Sequence, residues 1–403
     1  MSERPIAVLV EAIHGAADAP LRDAGFQVER VAGSPSPDEL SRLLARATVL
    51  GLRSKTQLRQ AHLGQAPSLA AVGCFCIGTD QVDLAAAARS GIPVFNSPFS
   101  NTRSVAELTL AEIIALSRRM LEKSMQLHAG RWDKSAKQSR EVRGRTLGIV
   151  GYGHIGSQLS VLAEDLGMRV VYFDIARKLA LGNAHALPSL EDLLQASDVV
   201  SLHVPDTERT RNLVGARELA LMKPGAMLIN NSRGRVVELD ALAAALRSGH
   251  LSGAAADVFP EEPAENGEGF RTPLAGLGNV ILTPHIGGST EEAQEAIAVD
   301  VAEKLARYWR HGTTATAVNF PQVDLPQVKD GLLRILHVHR NVPGVLGKMH
   351  TLLAKSGINI HAEFLQSDQE TSFVILDVDR FGDARLLDGL REMPETVRMR
   401  VAG

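Results

Sequence analysis

The sequence predicts an α/β protein of parallel sheets wrapped by helices, followed by a smaller α+β unit. Short apolar runs alternate with helix-like stretches over most of the chain, and a glycine-rich turn joins one such run to a helix. From residue 332 onward the pattern is strand, helix, strand, strand, helix, strand. At 403 residues the chain is too long for one core, and about 150 residues per domain suggests two or three domains.

Residues 6–10, 48–52 and 69–73 are apolar runs that read as strands of a first α/β unit. Residues 101–128 predict one long helix, with Asn101, Thr102 or Ser104 as caps and apolar residues recurring at Val105, Leu108, Leu110, Ile113, Ile114 and Leu116. The run 146–150 then enters Gly151-Tyr-Gly-His-Ile-Gly156, a helix-like stretch follows at 158–163, and the next apolar run ends at Asp174. A strand that stops in such a turn and opens a helix presents bare backbone N–H groups and a positive helix end to a pyrophosphate. Gly151 permits the tight turn, Gly153 admits the phosphate to the backbone, and Gly156 lets helix and strand pack closely. Asp174 lies 18 positions beyond Gly156, close to the roughly 20 expected of an acid that binds the adenosine ribose. Its charge favours NAD over the 2′-phosphate of NADP. Runs at 170–173, 199–203, 227–230, 253–259 and 280–283 complete a Rossmann-type unit. Residues 291–309 predict a second long helix that returns the chain to the first unit, and Pro321 and Pro326 mark a linker.

Composition excludes several classes. Apolar residues are 45%, charged residues 22% and the net charge is −3, which provides no basic footprint for nucleic acid or a lipid surface. The N-terminal run lacks the longer apolar core of a signal peptide, and no apolar stretch approaches the 18 residues of a membrane span. A cytoplasmic enzyme is expected. The two cysteines, Cys74 and Cys76, form neither a disulfide framework nor a zinc pattern and read as reduced, buried thiols; no metal is expected.

Candidate catalytic groups follow strands of the nucleotide unit, where open α/β sheets bind ligands. Hydride transfer from a secondary alcohol needs a base for the hydroxyl proton and a cation for the neighbouring carboxylate. Arg233, directly after the 227–230 run, offers a fork that grips a carboxylate with two hydrogen bonds. His285 lies between Pro284 and two glycines just past a strand, and Glu262 in a proline-rich loop could pair with it and raise its pKa.

Together these segments resemble the D-isomer-specific 2-hydroxyacid dehydrogenases, in which an Arg, a Glu and a His follow the nucleotide fingerprint in this order. Longer blocks carry the same resemblance: residues 73–80, residues 96–107 and Asn319-Phe-Pro321. It implies a flavodoxin-like, discontinuous substrate domain (1–100 and 288–318), an NAD-binding domain (101–287), a linker (319–331) and a ferredoxin-like ACT regulatory domain (332–403). It implies that Arg233 holds the substrate carboxylate, Glu262 orients and charges the imidazole, and His285 takes the hydroxyl proton. NAD contacts are implied for the fingerprint glycines, His154, Ile155, Asp174, Asn231, Ser232, Arg233, Asp257, His285, Gly287 and Gly288.

Within the family, the features resemble the branch that oxidises 3-phosphoglycerate. A doubly charged phosphate is costly to desolvate unless paired, and Arg53, Ser54 and Asn101 are the implied cradle, with Lys55 beside them. Asn341-Val-Pro-Gly-Val-Leu346 resembles the ligand turn of an ACT domain, implying a serine effector at His339, Asn341 and Asn359 between two paired modules. The expected activity is NAD-dependent oxidation of 3-phospho-D-glycerate with feedback by L-serine, in a homotetramer. A reductase of hydroxypyruvate, glyoxylate or 2-oxoglutarate is the alternative enzyme, and a nucleotide-sensing scaffold the alternative class.

Overall fold

The computed structural model describes residues 4–263, 267–382 and 384–402 and divides into two compact units, one of 1–100 with 294–403 and one of 101–293. In the first unit, β1 (Ile6–Leu9), β2 (Gln27–Arg30), β3 (Val49–Leu52), β4 (Ala71–Cys74) and β5 (Val94–Asn96) form a parallel sheet of order β2-β1-β3-β4-β5. That is the flavodoxin-like order expected. The central strands β3 and β4 are buried throughout, so they read as continuous apolar runs. β2, at the edge and largely polar, escapes any apolar-run criterion.

The second unit contains β6 (Thr146–Val150), β7 (Arg169–Phe173), β8 (His185–Ala186), β9 (Val199–Leu202), β10 (Met227–Asn230), β11 (Gly253–Ala256) and β12 (Val280–Leu282). Their order, β12-β11-β10-β9-β6-β7-β8, is the Rossmann arrangement with one further strand at its edge. All described pairings are parallel. The chain reverses strand order at β6 and β9, so the glycine-rich turn after β6 opens at the topological switch point.

The single helix predicted over 101–128 is two helices, Thr102–Ser117 and Met120–His128. Arg119 between them is left-handed, with φ 51°, and its guanidinium is bonded to Glu122 and to the Lys137 carbonyl. The first helix buries one face; the second buries none of its residues and exposes Met120, Met125 and Leu127. Continuous helical periodicity therefore concealed a change of environment.

The C-terminal sheet comprises β13 (Leu332–Arg340), β14 (Ile360–Ser367), β15 (Thr371–Asp379) and β16 (Thr396–Ala402), antiparallel in the order β14-β15-β13-β16. This is the ferredoxin-like topology expected. One face of β13 and β15 packs on the helices Val345–Lys355 and Ala384–Arg391 through Ile335, Val374, Leu376 and Val378. The other, through Leu336, Val338, Phe373 and Ile375, joins the core of the flavodoxin-like sheet and the helix Glu291–His311. Segment 319–331 contains neither helix nor strand, yet Phe320, Val323 and Leu325 are buried in that same cluster. Arg334, itself buried, pairs with Asp377 at 2.6 and 2.7 Å and donates to the carbonyls of His311 and Pro326. The small sheet is thus packed onto the rest of its unit.

Candidate active site

The turn after β6 has the geometry its glycines imply. Gly151 sits at φ 92°, and a Cβ there would strike the backbone of His203. At Gly156 a Cβ would strike the carbonyl of Gly151, so both positions require glycine for space. Around Gly153 the opposite holds: among the described residues nothing lies within 4 Å of where its Cβ would stand. Gly153 is the N-cap of the helix His154–Asp165, without a side-chain cap, and this helix begins with His154 and Ile155. Open backbone at a helix N-terminus suits a pyrophosphate. Asp174, one residue past β7, accepts from the N–H groups of Tyr152 and Ala176 at 2.9 and 2.8 Å, which ties the ribose-binding candidate to the glycine turn. These residues fit NAD.

Arg233, Glu262 and His285 come together from three loops of the same unit. Arg233 follows β10 and donates to the Ser232 carbonyl at 2.7 Å. A Cβ on Gly234 would collide with the Phe259–Pro260 backbone, so glycine lets the Arg233 loop lie against the loop that carries Glu262. Glu262 Oε1 accepts from the Phe259 N–H at 3.0 Å, and Oε2 lies 2.7 Å from His285 Nδ1. Partial burial works against ionisation of Glu262, but hydrogen bonds from His285 and the Phe259 N–H, with the charges of His285 and Arg233, hold its pKa below the ordinary value. For His285 the Glu262 hydrogen bond raises the pKa, against the opposing effect of burial, with Glu262 and Asp257 adding attraction and Arg233 subtracting. With Nδ1 committed to the carboxylate, Nε2 is the nitrogen left to face a substrate. His285 is half exposed and left-handed, with φ 54°.

Asp257 holds that conformation. It is 1% exposed and accepts from Thr283 Oγ1 at 2.6 Å and from the N–H groups of Ile286 and Gly287 at 2.8 and 2.7 Å. Implied as a cofactor contact, it acts in this structure as a clamp on the His285 loop. Gly288 packs against Asn101, where a Cβ would meet the amide. Ser232 is buried and bonded to Asn230 at 2.8 Å. Asn231 is buried too and donates to Thr109 and Glu112.

Arg53 and Ser54 belong to the other unit, in the loop after β3. A residue not foreseen organises it: buried Glu11 accepts from the N–H groups of Arg53, Lys55 and Thr56 at 3.3, 2.9 and 2.7 Å. An acid immediately after the apolar run 6–10 was the available signal. Cys74 and Cys76 are free thiols, the first buried, and desolvation raises both pKa values.

In the small domain, His339 and Asn341 lie at one end of β13 and Asn359 at the opposite end of the sheet. Asn359 bonds to Asp379, which pairs with Leu332, so at roughly 3.4 Å per residue it lies about 24 Å along the sheet from His339 and about 30 Å from Asn341. His339 is 3% exposed, and Asn341 bridges to the Asp368 carbonyl at 2.8 Å. One copy of the chain does not bring the three together.

The family described as D-isomer specific 2-hydroxyacid dehydrogenase, NAD binding domain, matches residues 110–287, and the AHAS small subunit-like ACT domain matches residues 335–398. D-3-phosphoglycerate dehydrogenase of Escherichia coli (strain K12) is 50% identical over 397 residues, covering 98% of this chain and 96% of that protein. The enzyme of the same name from Haemophilus influenzae is 51% identical over 395 residues, with 98% and 96% coverage. A D-lactate dehydrogenase from Aquifex aeolicus, solved with NAD and lactic acid, is 28% identical with a TM-score of 0.63, covering 75% of this chain and 95% of its own. The chain belongs to the D-3-phosphoglycerate dehydrogenases, a family of NAD-dependent oxidoreductases.

Proposed function

We propose that this enzyme oxidises the C2 hydroxyl of 3-phospho-D-glycerate to 3-phosphohydroxypyruvate, the first step of L-serine biosynthesis, and that L-serine inhibits it. The 2.7 Å contact between His285 Nδ1 and Glu262 carries the catalytic reading. It fixes the tautomer, so that the ring in its neutral form presents a basic Nε2 at the rim of the nucleotide-binding sheet. NAD supplies the hydride acceptor when bound; Gly151, Gly153, Gly156, His154, Ile155 and Asp174 would hold it, with Asn231, Ser232, Gly287 and Gly288 shaping the nicotinamide end.

Arg233 grips the substrate carboxylate and thereby sets the C2 hydroxyl within reach of His285. His285 Nε2 accepts the hydroxyl proton, and Glu262 stabilises the imidazolium that results. Arg53 and Ser54 take the phosphate, supported by the Glu11-anchored backbone of their loop; Asn101 is assigned to the substrate as well. In domain terms, 1–100 and 288–318 bind substrate, 101–287 binds NAD, 319–331 is a linker, and 332–403 is the ACT regulatory domain. Among the described residues no helix is long and apolar enough to cross a membrane, and we place the enzyme in the cytoplasm.

A homotetramer is proposed, formed through the nucleotide domains and the ACT domains. The exposed Met120, Met125, Leu127 and Trp132, the last 79% exposed, support the first contact, and Phe364 and Leu365 on the edge strand β14 support the second. Pairing of modules would also let Asn359 of one copy approach His339 and Asn341 of another. The deciding assay follows NADH formation with a panel of D-2-hydroxy acids. A preference for 3-phosphoglycerate over D-lactate and D-glycerate is expected, and equal use of all three would refute the substrate assignment.

A further inference from the structure

Two buried carboxylates lie behind the loops that carry Arg233 and His285, and their surroundings differ. Asp257 receives three donors, a set suited to an anion. Glu112, on the buried face of the helix Thr102–Ser117, receives one, from Asn231 Nδ2 to Oε2 at 2.6 Å. Its other oxygen, Oε1, is buried without a hydrogen-bond partner among the described residues, and so is Oδ1 of Asn231. The Asn231 amide cannot be turned round to relieve this. Its second N–H goes to Thr109 Oγ1 at 3.0 Å, and the Thr109 hydroxyl proton is already committed to the Val105 carbonyl at 2.8 Å. A flipped carbonyl would face two acceptors.

An ionised Glu112 leaves two buried acceptors with no donor between them, on groups already joined by a short hydrogen bond. A single proton on Oε1 satisfies both. We propose that Glu112 is a neutral carboxylic acid whose O–H donates to Asn231 Oδ1, closing a two-bond acid–amide pair that positions the Asn231–Arg233 loop. Burial pushes the Glu112 pKa up to about 7, with the Asn231 hydrogen bond opposing and the charge of Asp257 adding. Asp257 is the charged group that bears on Glu112 among the described residues. Neutrality suits the place, because an anion there would add to Asp257 behind a site that must hold a substrate anion. Glu112 is therefore a positioning residue that acts through Asn231, and its effect on substrate rests on the reading of Arg233 as the carboxylate grip.

Glu112→Gln copies the protonated acid, with an N–H in place of the O–H and a carbonyl to accept from Asn231. Glu112→Ala removes both. The alanine variant should raise KM for 3-phosphoglycerate about tenfold, with the NAD dissociation constant unchanged by fluorescence titration, and the glutamine variant should restore KM to within about threefold. Difference infrared spectroscopy of wild type against Glu112→Gln, recorded below about pH 7, where the acid is protonated, should show the C=O stretch of a protonated carboxylic acid in wild type alone. No such band, or a glutamine variant as impaired as the alanine one, overturns the proposal. If the alanine variant does not fold, the infrared comparison decides by itself. Arg233→Lys separates the two readings: normal KM there, with the acid band present, would sink the Arg233 assignment and leave the acid–amide pair standing.

Discussion

His203 and His285 stand just past the carboxyl ends of β9 and β12 in one parallel sheet, and their surroundings push them in opposite directions. His203 packs beside the Gly151 turn, with Nε2 2.9 Å from Ser201 Oγ and Nδ1 without a partner among the described residues. Burial lowers its pKa to about 4, so it stays neutral across the physiological range. His285 has Glu262 at 2.7 Å, half its side chain in solvent, and a raised pKa. Position at a strand end brings each ring to the carboxyl edge of the parallel sheet. Access to solvent keeps the His285 ring able to exchange protons near neutral pH, where desolvation silences His203, and the carboxylate partner raises its pKa further.

The largest expected effect breaks this comparison at its base. His285→Ala should cut turnover by about 10²–10⁴-fold while NAD still binds, because it removes the proton acceptor and leaves the glycine turn intact. Near-normal turnover in steady-state kinetics would defeat the role assigned to His285. Next in size, Arg233→Lys should raise KM for 3-phosphoglycerate by about tenfold or more, since an ammonium cannot reproduce the two-pronged grip.

Glu262→Gln sharpens the comparison by making His285 more like His203. Alcohol oxidation needs the neutral ring, so the rate rises with pH through the His285 pKa, which the Glu262 hydrogen bond holds above the ordinary histidine value. Without the carboxylate the protonated ring loses its stabilisation, and the acidic limb should move to lower pH. An unmoved limb in the pH–rate profile would break the pair, whereas His203→Ala should leave that limb in place. The smallest effect on the basal rate is expected in the regulatory domain. There Asn341→Ala should keep the uninhibited rate within about twofold and lose inhibition by L-serine, because a remote site acts only through a preference between arrangements. Equal inhibition of variant and wild type would remove Asn341 from the effector site.

Much of the site was legible because its signals are local. A strand period, a glycine-rich turn and an acid 18 positions on can be read within one short window, and Arg233 and His285 each directly follow an apolar run. Glu112 could have been noticed as an acid on the same helical face as Val105 and Thr109, but its partner Asn231 lies 119 positions away. Glu11 is similarly remote from the Arg53 loop it anchors, by 42 to 45 positions. The break at Arg119 left no mark in the apolar spacing, and the short edge strands β2 and β8 carry little of the burial that writes a pattern.

By itself the sequence determined the order of the buried strands and the long helical stretches between them, the glycines of the nucleotide turn, and the types of side chain presented by each loop. These follow from steric limits on single residues and from the period of burial along a strand or helix. Only the tertiary structure decided that Glu262 reaches His285 at 2.7 Å, that Asp257 turns inward to clamp the His285 loop, and that Asn359 lies at the far end of the sheet from Asn341. A side chain's charge state and reach depend on what surrounds it after the chain has folded. Those neighbours come from segments far apart in sequence, where no local period connects them.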